Sequence, residues 1–384
     1  MKVYKGISVE GKGIEVTVEG EKIKSVKSIP ANSKLPVIGI PLVDCQNNGA
    51  IGYGYNSCFK HINKIPEMVD FYRSHGVGKM LLTTTTCPPE NLIESGKALT
   101  KLFAKDKDID TFFPGVFHEG IFMSKLDGWR GAHKLKYVLD PDYKLFKKIN
   151  KAFDNRIKMV NIAPEEPGGM NFVEKAAEDG IIVSIGHAFP NAAQVAEAVK
   201  RGATMVTHFG NGACPTIHRH KNPFWSFLAH DELRLGLIPD GHHLPKDLIE
   251  TAFKVKGRDK INLVSDCSSL SGKPPGEYGD DGRVVVRKDG YLHMKGQEIL
   301  AGAWFQLDKG VELLCDMGWS LPDAWKQCST VSAKIFNIKV NSIKPGQPAD
   351  FVVSQYDKKK GLKLQKILFK GKELPVLPVL PIYN

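Results

Sequence analysis

The stretch VSIGHAFPNAAQVAEAVKRGATMVTHFGNGA, residues 183–213, carries the reading of the fold. Two short apolar runs, IIVSIG and ATMVT, each lead into a histidine, His187 and His208. Between them NAAQVAEAVKR puts small or apolar residues at Ala193, Ala196 and Val199, with Ala192 and Val195 filling the stripe. That spacing predicts a helix with one apolar face, and Gly202 reads as its C-terminal cap. A strand–helix–strand unit makes the two strands parallel. Both histidines then lie at the same end of one sheet.

The same alternation recurs on either side. IPLVDCQ (40–46), KMLLTTT (79–85), FFPGVFHE (112–119), IKMVNIAP (157–164), IIVSIGH (181–187), ATMVTH (203–208), LRLGLIPD (233–240) and INLVSD (261–266) all read as strands, and helical patterns follow most of them. Eight such units predict an α/β fold of the (β/α)8, TIM-like barrel type. The chain ends read differently. KVYKGISVE, GIEVTVEG and EKIKSVKSI alternate apolar and polar residues, as does ADFVVSQYDKKKGLKLQKILFKGKEL near the other end. Alternation of period two predicts short antiparallel strands. We therefore expect residues 1–39 and 339–384 to form one small β-sandwich domain from both termini, around a barrel of residues 40–338. The Pro-spaced PVLPVLPIYN at 375–384 reads as an extended tail.

Composition narrows the function. The 384 residues are 42% hydrophobic and 25% charged, as in ordinary globular proteins. No apolar run reaches the length of a membrane span. The N-terminus has no apolar signal core, which points to a cytoplasmic protein. The seven Cys are odd in number and form no C-x-x-C pair. That argues against a disulfide framework or a zinc knuckle and fits a reducing compartment. The net charge of +11 is spread along the chain. It reads first as a solvated lysine-rich surface and second as steering for an anionic substrate. No basic-aromatic cluster points to nucleic acid.

In a barrel of this kind the active site lies at the C-terminal ends of the strands. The first run ends in Asp44, Cys45 and Gln46, the third in His118 and Glu119, the fifth in His187 and the sixth in His208. The seventh is followed by Asp240, His242 and His243, and the eighth ends in Asp266. Adjacent strands would set His187 beside His208, with Glu119 facing them. Two imidazoles and a carboxylate around an open position make a catalytic zinc shell, which lowers the pKa of bound water. Asp266 could then take and return a proton. Each residue alone has a plainer explanation: a strand-end His is usually hydrogen-bonded structure, and an Asp after an apolar run is often a helix N-cap. The coincidence on four strands of one barrel carries the reading.

These residues resemble the amidohydrolase superfamily and, within it, the N-acetylglucosamine-6-phosphate deacetylases. VDCQNNG is similar to the strand-1 pattern D-x-Q-x-N-G, with Gln46 and Asn48 where other amidohydrolases carry H-x-H. IKMVNIAPE lacks the strand-4 Lys of two-metal members, so the resemblance implies one divalent metal per chain. Zn fits the His2Glu shell, with Fe, Co and Mn as alternatives. The resemblance implies Glu119, His187 and His208 as metal ligands and Asp266 as general base and acid. From GAHK it implies that His133 contacts sugar hydroxyls. From PDGHH it implies His243, rather than His242, as a substrate-binding and catalytic histidine. CPTIHR resembles the phosphate-site stretch and makes Arg219 the phosphate ligand, reaching into the site of the neighbouring subunit of a homodimer. Gln46, Asn48, Asn211, Gly212 and Ala301 of LAGA complete the implied substrate contacts. The substrate so implied is a phosphorylated amino sugar, N-acetylglucosamine 6-phosphate, hydrolysed to glucosamine 6-phosphate and acetate. The family's N-A-M is NGA here and its H-x-E-G is FHEG. A different N-acyl or cyclic amide substrate is the alternative, and an inactive barrel serving as a scaffold is a further one.

Overall fold

The computed structural model describes residues 1–279 and 282–377. Residues 378–384, most of the expected extended tail, lie outside the described residues. All eight expected barrel strands are present in one parallel sheet, in chain order around the ring. We label them β1 (Leu42–Asn47), β2 (Val77–Thr84), β3 (Gly115–His118), β4 (Ile157–Ile162), β5 (Ile182–Ile185), β6 (Ala203–Val206), β7 (Arg234–Leu237) and β8 (Ile261–Leu263). The quoted stretch folds as read. A helix spans Ala192–Lys200 between β5 and β6, and Asn191 and Gln194 form a reciprocal capping box at its start. Gly202 sits just beyond its end at φ +107°.

The ring closes without a regular ladder between β8 and β1. Beyond Leu263 the chain reaches β1 through Asp266 N–H to the Gln46 carbonyl (2.9 Å) and Asn48 N–H to the Cys267 carbonyl (2.8 Å). Inside the ring, Val43, Cys45, Leu81, Phe117, Met159 and Met205 pack with Ala333, Phe336 and Ile338, so the barrel is a filled core rather than a pore. A second, larger core lies between strands and helices. Six of the cysteines are buried, as expected of small core residues, and all seven are unpaired thiols. Among the described residues, no helix is long and apolar enough to cross a membrane.

The small domain takes strands from both ends of the chain. Its seven-stranded sheet runs, edge to edge, Lys372–Leu374, Gly361–Phe369, Phe351–Asp357, Val37–Gly39, Lys2–Ser8, Gly13–Glu19 and Lys22–Ser28. The halves of this sheet enclose one core of Val16, Val18, Ile23, Ile38, Phe351 and Leu368. Where it meets the barrel, the Trp325 indole donates to the Ile40 carbonyl at 2.8 Å. A Cβ added at Gly39 would lie 2.3 Å from that ring. Gly39→Ala is therefore expected to destabilise the fold by ~1–3 kcal/mol, the cost of overpacking a filled site. Urea unfolding monitored by Trp fluorescence checks this.

One element escaped the sequence reading. Between β8 and the helix Asp308–Asp316 lies a three-stranded antiparallel sheet of Gly276–Tyr278, Val284–Val286 and Leu292–Met294. Its signal was present: Asp289-Gly290 turns between VVV and YLHM, with Gly290 at φ +79°.

Candidate active site

The expected ligands meet at the C-terminal mouth of the barrel, but not on the strands themselves. Glu119 follows the last residue of β3, and His187 and His208 each lie two residues past β5 and β6. Asp266 lies three residues past β8. Leaving the ladder frees their backbones to turn inward. His187 (φ +49°), His208 (φ +29°) and Asp266 (φ +49°) all occupy the left-handed region. L residues adopt it at a cost, and such outliers cluster at functional sites.

The side chains converge tightly. His208 Nε2 lies 3.0 Å from Glu119 Oε1 and 3.0 Å from His187 Nε2. His187 Nε2 is 3.5 Å from the same carboxylate oxygen. All three residues are buried. His187 Nδ1 sits 3.1 Å from the Trp129 carbonyl oxygen. A carbonyl only accepts, so Nδ1 carries the proton and Nε2 offers its lone pair to the centre. Lone pairs gathered this closely repel unless a cation joins them. Four-coordinate zinc, with bonds of ~2.0–2.1 Å, holds neighbouring ligand atoms ~3.3 Å apart. The donor set and spacing therefore fit a divalent metal. Burial alone would raise the Glu119 carboxyl, but hydrogen bonds and charge from His187 and His208 outweigh it and hold it well below the usual range. Two glycines let the covering loops come close. A Cβ on Gly212 would lie 2.7 Å from His187 Nδ1, and one on Gly131 3.1 Å from His187 Cε1; both have positive φ.

The remaining expected residues fall into three groups. His133, Asn48, Asn211, Gly212, His243, Ala301 and Asp266 line one cavity of about 1100 Å³ together with the metal-type residues. His133 stacks edge-on to His187, its Nε2 3.3 Å away, and burial with the adjoining His187 lowers its pKa to about 3. His243 Nδ1 is held by Asp240 Oδ2 at 2.7 Å. Asp240 itself stays below its ordinary pKa, because His243 and the His242 and His243 amides outweigh its burial. His242 turns away, bonding the Asp289 carbonyl at 3.0 Å and stacking on Phe305. Asn48 also reaches the carboxylate beside it, its Nδ2 donating to Asp266 Oδ1 at 2.7 Å. Burial, then the charge of Glu119, raises the Asp266 carboxyl well above its usual value.

Gln46 forms the second group. It does not line the cavity, as a substrate contact would, but is buried behind Glu119 and donates to Oε1 at 3.0 Å. Arg219 is the third case. It lies on an exposed loop outside the cavity wall of its own chain, its carbonyl accepting from the Trp225 indole at 2.8 Å. The loop is flanked by exposed apolar side chains, Trp225 at 56% and Leu126 at 53% exposure. The sequence reading missed Tyr53, His61, Lys134, Arg283 and Glu298 of the cavity wall. His61, Lys134, Arg283 and Glu298 sit on loops and Tyr53 in a two-residue strand, too short for a periodic pattern to mark it.

No family profile matches the chain. The N-acetylglucosamine-6-phosphate deacetylase of Lysinibacillus sphaericus is 36% identical over 197 residues, which is 51% of this chain and 50% of the relative. The chain thus aligns with about half the length of that relative. The enzyme of the same name from Bacillus subtilis is 28% identical over 362 residues, 92% of this chain and 89% of the relative. A crystal structure of N-acetylglucosamine-6-phosphate deacetylase from Thermotoga maritima superposes with a TM-score of 0.80 at 26% identity, covering 97% of this chain and 99% of that one. The chain has the amidohydrolase fold. The resemblance read from its motifs is borne out by these relatives. The (β/α)8 barrel with a small sheet domain is the architecture they share.

Proposed function

We propose that this amidohydrolase-fold protein hydrolyses the N-acetyl amide of N-acetylglucosamine 6-phosphate, releasing glucosamine 6-phosphate and acetate. The convergence of Glu119, His187 and His208 beside Asp266 in one cavity carries the reading. The names of its relatives supply the substrate. A divalent ion held by Glu119, His187 and His208, which we take to be zinc, would supply an acidified water and a polarised carbonyl. Asp266, oriented by Asn48, accepts the proton of the attacking water and returns it to the departing nitrogen. His243, fixed through Nδ1 by Asp240, presents its other nitrogen as a donor to the carbonyl or oxyanion. His133 binds sugar hydroxyls beside His187. Gly212 and Asn211, on the loop that leads to Arg219, help hold the phosphate, Asn211 through its unpartnered side-chain Nδ2, since its N–H is bonded to the His208 carbonyl at 2.9 Å. Ala301 lines the acyl end.

Arg219 cannot complete the phosphate site of its own chain from outside the cavity wall. Its placement, with Trp225 and Leu126 exposed around it, supports a homodimer in which it reaches the neighbouring site. Seven unpaired thiols support a cytoplasmic setting. The test is acetate release from N-acetylglucosamine 6-phosphate and from N-acetylglucosamine, on protein of known metal content. A strong preference for the phosphorylated sugar is expected, with about one metal per chain, as a mononuclear site requires. Metal without cleavage of either sugar would redirect the reading to another N-acyl substrate. Arg219→Ala should raise KM for the phosphorylated sugar by about 10–100-fold, the loss of a charge-assisted hydrogen bond pair, and leave the plain sugar unaffected. If Arg219 acts across the interface, mixing Arg219→Ala with Asp266→Asn protein restores a fraction of sites with the low KM and full turnover that neither variant shows alone. Failure to complement would remove the shared site.

A further inference from the structure

The active-site face of the barrel is joined at the β8–β1 seam by a buried carboxylate that no expected role uses. Asp44 is completely buried. Its Oδ1 accepts from the Ser265 amide (3.1 Å) and the Gln46 amide (3.4 Å). Its Oδ2 accepts from the Ser265 hydroxyl (2.6 Å) and Asn47 Nδ2 (3.2 Å). Ser265 Oγ in turn accepts from the Cys267 amide at 3.2 Å. The two neighbours of Asp266 are therefore tied, directly or through one hydroxyl, to Asp44. Asp266 itself is held by its N–H on the Gln46 carbonyl and its carbonyl on the Ala303 N–H, both 2.9 Å.

We infer that Asp44 is a positioning residue, which pins Ser265 and strand β1 so that Asp266 keeps its left-handed turn and its bond to Asn48. This rests on the reading of Asp266 as the proton carrier. Three considerations support it. The seam has only isolated bridges, Asn47 with Cys267 and Cys267 with Ala303, in place of a continuous ladder, so the few backbone bonds at the turn are supplemented by side chains. A non-glycine residue at positive φ persists only where its surroundings over-determine it. A carboxylate is the one side chain of this size that accepts all four donors at once; the amide of Asn would turn N–H against at least one of them. Burial pushes the Asp44 carboxyl up to about 6 while the bonds from Ser265, Asn47 and Gln46 pull it down. A buried carboxylate with no cation partner is costly to keep unless it organises its donors.

The test uses metal-loaded Asp44→Asn, Ser265→Ala and the double variant. Glu119, His187 and His208 stand on other strands, so metal content should hold, and the main change should fall on kcat rather than on KM. We expect kcat to fall about 10–100-fold in Asp44→Asn, as for a catalytic group displaced by a fraction of an ångström, and less in Ser265→Ala. The double variant should fall no further than Asp44→Asn, because the two residues share one interaction. A folded Asp44→Asn enzyme of normal kcat overturns the proposal; if that variant does not fold, a normal kcat in Ser265→Ala does so. Amide hydrogen exchange decides independently of turnover. Faster exchange confined to residues 264–268 and 303 supports the role, whereas unchanged exchange, or a rise equally large in β5, overturns it. If the wild-type protein cleaves no acyl sugar, the reading of Asp266 fails, and the exchange result still tells whether Asp44 holds the turn.

Discussion

Alanine at His187 or at His208 should remove metal and turnover together. Each imidazole places Nε2 within 3.0–3.5 Å of Glu119 Oε1 and of its partner ring. A shell of three protein ligands that loses one leaves a two-ligand site, and metal content should drop from about one per chain to a small fraction. Without such an ion a water in the site would keep its bulk pKa, and a developing oxyanion would have no cation beside it. Several kcal/mol of transition-state stabilisation disappear, so kcat/KM should fall by about 10³-fold or more. Metal analysis beside the acetate assay checks both halves. Full occupancy in the two alanine variants would remove these histidines from the shell.

Asp266→Asn should behave in the opposite way on metal and the same way on rate. The Asn carbonyl can still accept from Asn48 Nδ2, which now reaches Asp266 Oδ1 at 2.7 Å. Cavity shape, metal content and KM are therefore expected to hold. What disappears is a group that takes a proton from water and gives it to nitrogen. General acid–base catalysis is worth about 10²–10⁴-fold, and a loss in kcat of that size is expected. Asp266 also lies close enough to Glu119 and His208 to share an ion with them. Loss of metal in Asp266→Asn would make it a ligand. A near-normal rate would leave it no part in the chemistry.

The contrast between the two outcomes separates holding an ion from moving a proton. The residues also differ in how the backbone carries them. His187 and His208 come from adjacent strands, and the Trp129 carbonyl holds Nδ1 of His187 so that its Nε2 faces inward. Asp266 comes from the seam, where isolated backbone bonds and the side chains of Asp44 and Ser265 take the place of a strand ladder.

The eight barrel strands were legible because each is an apolar run of the right length and helical stripes follow most of them. Burial on both faces leaves that mark on a parallel strand whatever its neighbours are. His187, His208, Glu119 and Asp266 were legible for the same reason, since residues that close a strand of a barrel share one mouth. The local sequence also carried the Asn191 cap and the Asp289-Gly290 turn, which depend on neighbours within four residues. Only the tertiary structure decided the rest. It turned Gln46 behind Glu119, set Asn48 on Asp266, and left Arg219 outside its own site. Those outcomes depend on residues distant in the chain, such as the 218 positions between Asn48 and Asp266. Spacing along a strand specifies which end a side chain reaches. Which partner it meets there is set by how the ring closes, and that is a property of the whole barrel.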